Sequence, residues 1–157
     1  MLLNPAYQRG PRWANGQRID LMRSWLQGVP IPAVVVNERT NPAWHRVDPE
    51  LRVTYAVVDG RQRLETALAW QDGRLAIPAS WLPPDWVHTT EETTDGPYVR
   101  VSSLRTPRRV QRLMDLSCVR AKVATEAAEA AIYLLINNSG TPQSAEDLAR
   151  AAEVADS

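Results

Sequence analysis

The stretch Tyr55-Ala56-Val57-Val58-Asp59-Gly60-Arg61-Gln62-Arg63-Leu64-Glu65-Thr66-Ala67-Leu68-Ala69-Trp70-Gln71-Asp72-Gly73 changes its hydrophobic period in the middle. From Arg52 to Val58 the β-branched and aromatic content is that of a strand, which ends at Asp59-Gly60. Beyond it Leu64, Ala67, Leu68 and Trp70 fall at near-helical spacing, so Arg61 to Gln71 is expected to form a helix closed by Asp72-Gly73. The unit is strand, tight glycine turn, helix.

Similar elements lie on both sides. A helix is expected from Gln17 to Gln27, with Ile19, Leu21, Met22, Trp25 and Leu26 on one face and Gly28 and Pro30 as its stop signal. Ile31 to Asn37 is a short apolar run with the character of a buried strand, and Glu38 to Glu50 is a polar connection. After the central unit come a brief strand over Ala76 to Pro78 and an irregular Pro- and Trp-rich piece from Trp81 to Trp86. A protruding polar loop, His88 to Pro97, and a strand, Tyr98 to Val101, follow. Pro107 to Ser117 reads as a basic amphipathic helix with Val110, Leu113, Met114 and Leu116 on its apolar side. Another helix runs from Thr125-Glu126 to about Ile136, and Asn137 to Pro142 breaks it. Ser144 and Asp147 approximate a capping box for a last helix from Ala145 to about Val154.

The chain of 157 residues suits one domain over 1–157, with a helical C-terminal part from about 107. Its longest apolar runs, Ala33 to Val36 and Ala130 to Ile136, are far too short to cross a bilayer. Met1 is not followed by a basic region and an apolar stretch, so a cytoplasmic protein is expected. One cysteine, Cys118, forms no internal disulfide, and His45 and His88 are too far apart for a local metal motif. Cys118 itself reads as a small buried residue. Lys and Arg equal Asp and Glu at 18 each, which argues against whole-molecule attraction to nucleic acid. The distribution is uneven. Between Tyr98 and Lys122, Arg100, Arg105, Arg108, Arg109, Arg112, Arg120 and Lys122 stand against Asp115 alone. This either makes a basic face or places solvated arginines on an amphipathic helix.

The Asp-Gly turn concentrates several anion-binding devices. Glycine lets the backbone approach a ligand, the helix start offers N–H groups and the positive dipole end, and Arg61 and Arg63 add charge-assisted hydrogen bonds. Asp59 is placed to orient an arginine or to help hold a phosphate-bound metal. The same residues also fit an ordinary Asp-Gly turn in which Asp59 pairs with the arginines.

Three pieces of the chain resemble the DUF262 family, which includes the N-terminal part of GmrSD-type modification-dependent restriction proteins. They are Asn4-Pro5-Ala6-Tyr7-Gln8-Arg9 with Trp13, Leu21 to Leu26 and Gly28 to Pro32; Tyr55 to Leu64, where Asp-Gly-Gln-Gln-Arg-Leu is usual; and Ile136-Asn137-Asn138-Ser139-Gly140-Thr141-Pro142 with Leu148. That family is similar in turn to the ParB and sulfiredoxin superfamily. The resemblance implies an α+β fold, a small mixed sheet flanked by helices, and a nucleoside triphosphate with Mg2+ held at the turn. Gly60, Arg61, Gln62 and Arg63 would then contact phosphates, Asp59 would steer the turn, and Tyr7, Gln8 and Arg9 would approach from the other side. Asn137, Asn138, Gly140 and Thr141 would form a third wall. Arg61 departs from the usual glutamine, which adds charge and disturbs any hydrolytic arrangement. Sulfiredoxin chemistry needs a cysteine in this turn, and none is present.

Of the six tryptophans, Trp25 and Trp70 belong to the core, while Trp13, Trp44, Trp81 and Trp86 sit in expected loops, where packing or base stacking accounts for them. Glu65 reads either as solvated or as a metal- or water-positioning carboxylate. The helix carrying Arg105, Arg108, Arg109 and Arg112 is the candidate DNA contact. Two function classes follow. One is a nucleotide-binding, NTP-hydrolysing switch in restriction, defence or partition, with Asp59, Arg61 and Arg63 as catalytic residues. The other is a non-catalytic DNA- or protein-binding module. A nuclease is least favoured, and any cleavage needs a separate partner chain.

Overall fold

The computed structural model describes residues 1–3, 5, 13–45 and 53–138. Tyr7, Gln8, Arg9, Gly140, Thr141 and the expected helix from Ala145 to Val154 lie outside the described residues. Among those described, the fold is mixed α+β, with five α-helices and two three-stranded sheets. The elements in order are α1 (Asn15–Leu26), β1 (Val34–Glu38), α2 (Pro42–His45), β2 (Tyr55–Asp59), α3 (Arg61–Gln71), β3 (Ile77–Pro78), β4 (Glu91–Thr93), β5 (Gly96–Val99), α4 (Pro107–Leu113), β6 (Cys118–Ala121) and α5 (Glu126–Asn138). No helix among the described residues is long and apolar enough to cross a membrane.

The first sheet has the order β2-β1-β6 and is mixed. β1 runs antiparallel to β2, with Val36 opposite Val57 and Glu38 opposite Tyr55, and parallel to β6, with Val34 opposite Cys118. Leu2 extends the far side of β2: its N–H donates to the Tyr55 carbonyl at 2.8 Å and its carbonyl accepts from Val57 at 2.9 Å. Val34, Val36 and Val57 form a small core on one face, capped by Leu64 of α3 together with Leu3, Tyr55 and Leu116. The second sheet, β3-β5-β4, is antiparallel. It contributes Ile77 and Val99 to the larger core, whose centre is Trp25 of α1 and Trp70 of α3. The Trp25 indole N–H donates to the Asp115 carbonyl at 2.8 Å, which ties α1 to the chain leaving α4.

A polar cluster joins α5 to the first sheet. Glu129 is fully buried and accepts from Arg39 Nε at 2.8 Å, Arg39 Nη2 at 2.6 Å and Asn37 Nδ2 at 2.6 Å. The Asn37 amide also exchanges two hydrogen bonds with the backbone of Val123. Trp44 of α2 donates to the same Val123 carbonyl at 2.9 Å and presents its ring to the Arg39 guanidinium at 4.2 Å. A buried carboxylate is tolerable only with this degree of pairing.

Several expectations are corrected. The polar stretch His88 to Pro97 is no open loop but contains β4 and the start of β5. Gly96, at φ 104°, completes a hairpin turn in which Thr93 Oγ1 donates to the Gly96 carbonyl at 2.7 Å. The small sheet expected is thus joined by a second. The basic helix stops at Leu113, because Met114 turns to ψ 69°, and the C-terminal part is not purely helical, since β6 interrupts it. β6 lies at the end of its sheet and leaves Cys118 exposed rather than buried.

Two substitutions probe this framework. Gly60 has φ 84°, and a Cβ there would lie 2.9 Å from Val34 Cγ2 and 3.0 Å from Val34 Cα. Gly60→Ala is expected to destabilise the protein by roughly 2 kcal/mol in urea unfolding, from left-handed strain plus collision with β1. Glu129→Ala leaves Arg39 buried without its carboxylate, and the same measurement is expected to give a loss of about 3 kcal/mol or more.

Candidate functional site

The turn between β2 and α3 is held against the start of β1. Val35 pairs with Asp59, so the last residue of β2 lies beside the first residues of β1, and only a residue without a side chain fits between them. Gly60 fills that place as the N-cap of α3 in the left-handed conformation, and it offers no capping side chain. The first-turn N–H groups of a helix have no intrahelical acceptors. Here no side chain of the N-cap covers them.

The first turn of α3 also has the wrong charge for a free-standing helix. It carries Arg61 and Arg63 and no acid, although the positive end of the dipole disfavours cations. Two carboxylates compensate. Arg63 Nη2 donates to Asp59 Oδ2 at 2.7 Å and to the Ala33 carbonyl at 3.1 Å, which staples α3 to the ends of β1 and β2. Arg61 Nε donates to Glu65 Oε1 at 2.7 Å, and Glu65 Oε2 lies 3.8 Å from Arg18 Nη2 on α1. The turn therefore gathers Arg18, Arg61 and Arg63 around Asp59 and Glu65. Glu65 is a bridging counter-ion, not a solvated acid.

Two polar atoms at the turn are buried and lack hydrogen-bond partners among the described residues, Gln62 Oε1 and Arg63 Nε. Both bonds that Arg63 makes among the described residues use Nη2, and its Nε is buried without a partner among them. The main-chain carbonyl of Gln62 is occupied by the Thr66 hydroxyl at 2.8 Å. The orphaned Arg63 Nε–H, beside a helix N-terminus and a cluster of guanidinium groups, suits an oxygen-rich anion, whereas Gln62 Oε1 calls for a donor.

The structure thus brings together Asp59, Gly60, Arg61, Gln62 and Arg63. Asn137 and Asn138 end α5, and the Asn137 amide donates to the Tyr133 carbonyl in its own helix at 2.8 Å. Arg105, Arg108, Arg109 and Arg112 are all exposed on or beside α4. Arg109 lies 5.4 Å over the Trp86 ring, and Arg23 of α1 lies 5.8 Å over Trp81. These two tryptophans, with Trp13, also pack against the larger core. Among the described residues no group of three or more His, Cys, Asp or Glu side chains could hold a metal ion. Sequence reasoning missed Arg18. It sits among polar residues of α1, and only the packing of α1 on α3 brings it to Glu65.

No characterised protein and no solved structure matches the chain. A family model does: the one described as GmrSD restriction endonuclease, N-terminal domain, matches residues 2–152 and so takes in the turn and all three motifs that resembled DUF262. The chain belongs to the family of GmrSD restriction endonuclease N-terminal domains.

Proposed function

We propose that the chain is the nucleotide-sensing part of a restriction or defence system, binding a nucleoside triphosphate with Mg2+ at the turn between β2 and α3. The observation that carries this reading is the first turn of α3: a helix start with no capping side chain, two arginines where the dipole disfavours them, and a buried Arg63 Nε with no partner among the described residues. An arriving triphosphate answers the helix dipole, the two guanidinium groups and the Arg63 Nε–H donor at once. Kinship with the ParB and sulfiredoxin superfamily belongs to the same proposal. Tyr7, Gln8 and Arg9, and Asn138, Gly140 and Thr141, are its remaining candidate contacts.

The residues have unequal parts. Arg63 is a structural staple first, since Asp59 and Ala33 hold its Nη2, and it offers the ligand its remaining N–H groups. Arg61, whose Nε donates to Glu65 Oε1, is not tied to the strand ends as Arg63 is, and serves as a phosphate ligand and a stabiliser of charge in any hydrolysis. Asp59 spends its charge on Arg63, so it shapes the turn more than it assists chemistry. When bound, the nucleotide with Mg2+ would supply the bond to be broken and further neutralisation of the phosphate charge. Cleavage of DNA belongs to a separate nuclease domain or chain.

Calorimetric titration with the four nucleoside triphosphates plus Mg2+ tests this reading. Binding is expected in the wild type and is expected to fall about tenfold or more in Arg61→Ala, the loss of one charge-assisted contact. Failure of folded wild-type protein to bind any of the four overturns it.

A second reading, a DNA-binding module, is favoured by one observation: Arg105, Arg108, Arg109 and Arg112 are exposed along one short segment. On that reading, replacing Arg108, Arg109 and Arg112 by alanine is expected to lower DNA affinity and to reduce the slope of log K against log salt by about 2–3 units, measured by fluorescence anisotropy.

A further inference from the structure

Glu65 stands one turn inside α3 and touches cations from two helices. Its Oε1 accepts the Nε–H of Arg61 at 2.7 Å, and its Oε2 lies 3.8 Å from Nη2 of Arg18. The side chains of Arg18, Arg61 and Glu65 are 23%, 13% and 19% exposed, so these charges act on one another more strongly than at an open surface. The two contacts are unequal. One is a short hydrogen-bonded pair, and the other is longer, with room to close.

The direction of the Arg61–Glu65 pair matters. In the favoured i,i+4 arrangement the acid precedes the base, so that each meets the helper end of the dipole; here the base comes first. An anion bound at the N-terminus of α3 takes the place that the dipole favours and offers Arg61 several acceptor oxygens. Arg61 gains by turning to it. The carboxylate it leaves is partly buried, and Arg18 is already within 4 Å.

We infer that Glu65 is the displaceable counter-ion of the anion site, and that Arg18 takes over the released carboxylate when the ligand arrives. The inference rests on the proposed reading of the turn and adds its regulation: occupancy passes from α3 to α1 through one carboxylate that changes partners. Glu65 holds the affinity of the empty site down, and Arg18 restores part of it in the bound state. Arg18 acts as a positioning residue, not as a phosphate ligand.

Calorimetry on the full chain with inorganic tripolyphosphate, in wild type, Glu65→Gln, Arg18→Met and the double variant, separates the possibilities. Glu65→Gln is expected to bind about fivefold tighter than wild type. Arg18→Met is expected to weaken binding about threefold when Glu65 is present and to have no effect in the Glu65→Gln background. Binding by Glu65→Gln that is equal to or weaker than wild type overturns the exchange while the anion site stands. An Arg18→Met effect of the same size in both backgrounds also overturns it, because Arg18 then acts directly on the ligand. If none of the four proteins binds, each shown folded by thermal unfolding, the anion site itself fails and the exchange with it.

Discussion

The seat of Gly60 on Val34 is the constraint on which the site depends. A Cβ at Gly60 would come within 3.0 Å of the backbone of β1, so the last residue of β2, the N-cap of α3 and the entry to β1 share one point in space. Leu64 then lands on the small valine core of the sheet, and Arg63 reaches back to the Ala33 carbonyl and to Asp59. A looser turn would still connect strand to helix. It would not aim the first amides and guanidinium groups of α3 at the same spot, since their direction follows from how closely the helix start is held.

The charges around this seat are paired within the fold. Arg63 is answered by Asp59, and Glu65 is shared by Arg61 and Arg18. The two readings that the sequence left open, ion-paired Asp-Gly turn and anion site, are therefore compatible. The pairs hold the arginines in place, and the helix dipole still favours an anion over a cation at that position. Among the described residues Arg63 Nε is buried at this turn without a hydrogen-bond partner, a donor that the proposed anion would satisfy.

The elements that could be read from local sequence were those with a clear period and clear stops. α3 was expected over Arg61 to Gln71 and is found there, and α1 and β2 differ from their expected limits by a few residues at most. What could not be read locally was set by distant partners. Cys118 to Ala121 becomes a strand because β1 accepts it in parallel register, although four residues after a basic helix have no period of their own. Glu91 to Thr93 is exposed at all three positions and so lacks the apolar alternation that marks a strand; its one signal was the Asp95-Gly96 pair. At the site, the local motif was readable from Asp59 to Arg63, but Arg18 was not, since nothing in α1 marks the residue that will face Glu65. Glu129 was hidden for the same reason: its partners Asn37 and Arg39 lie about ninety residues away.

The two glutamate–arginine contacts show why one pair builds the fold and the other is suited to exchange. Glu129 is fully buried, meets Arg39 through both carboxylate oxygens and receives Asn37 as well. Separating that pair would strand a charge in a place that water does not reach, so the contact persists or the fold fails. Glu65 meets Arg61 through one hydrogen bond, retains some exposure and has a second cation waiting at 3.8 Å. In the proposed exchange, separation there strands nothing, because the anion takes the arginine and Arg18 takes the acid. The same two residue types thus serve opposite ends, and burial decides which: where water and alternative partners are excluded the pair is permanent, and where both are at hand it is a contact that a ligand can replace.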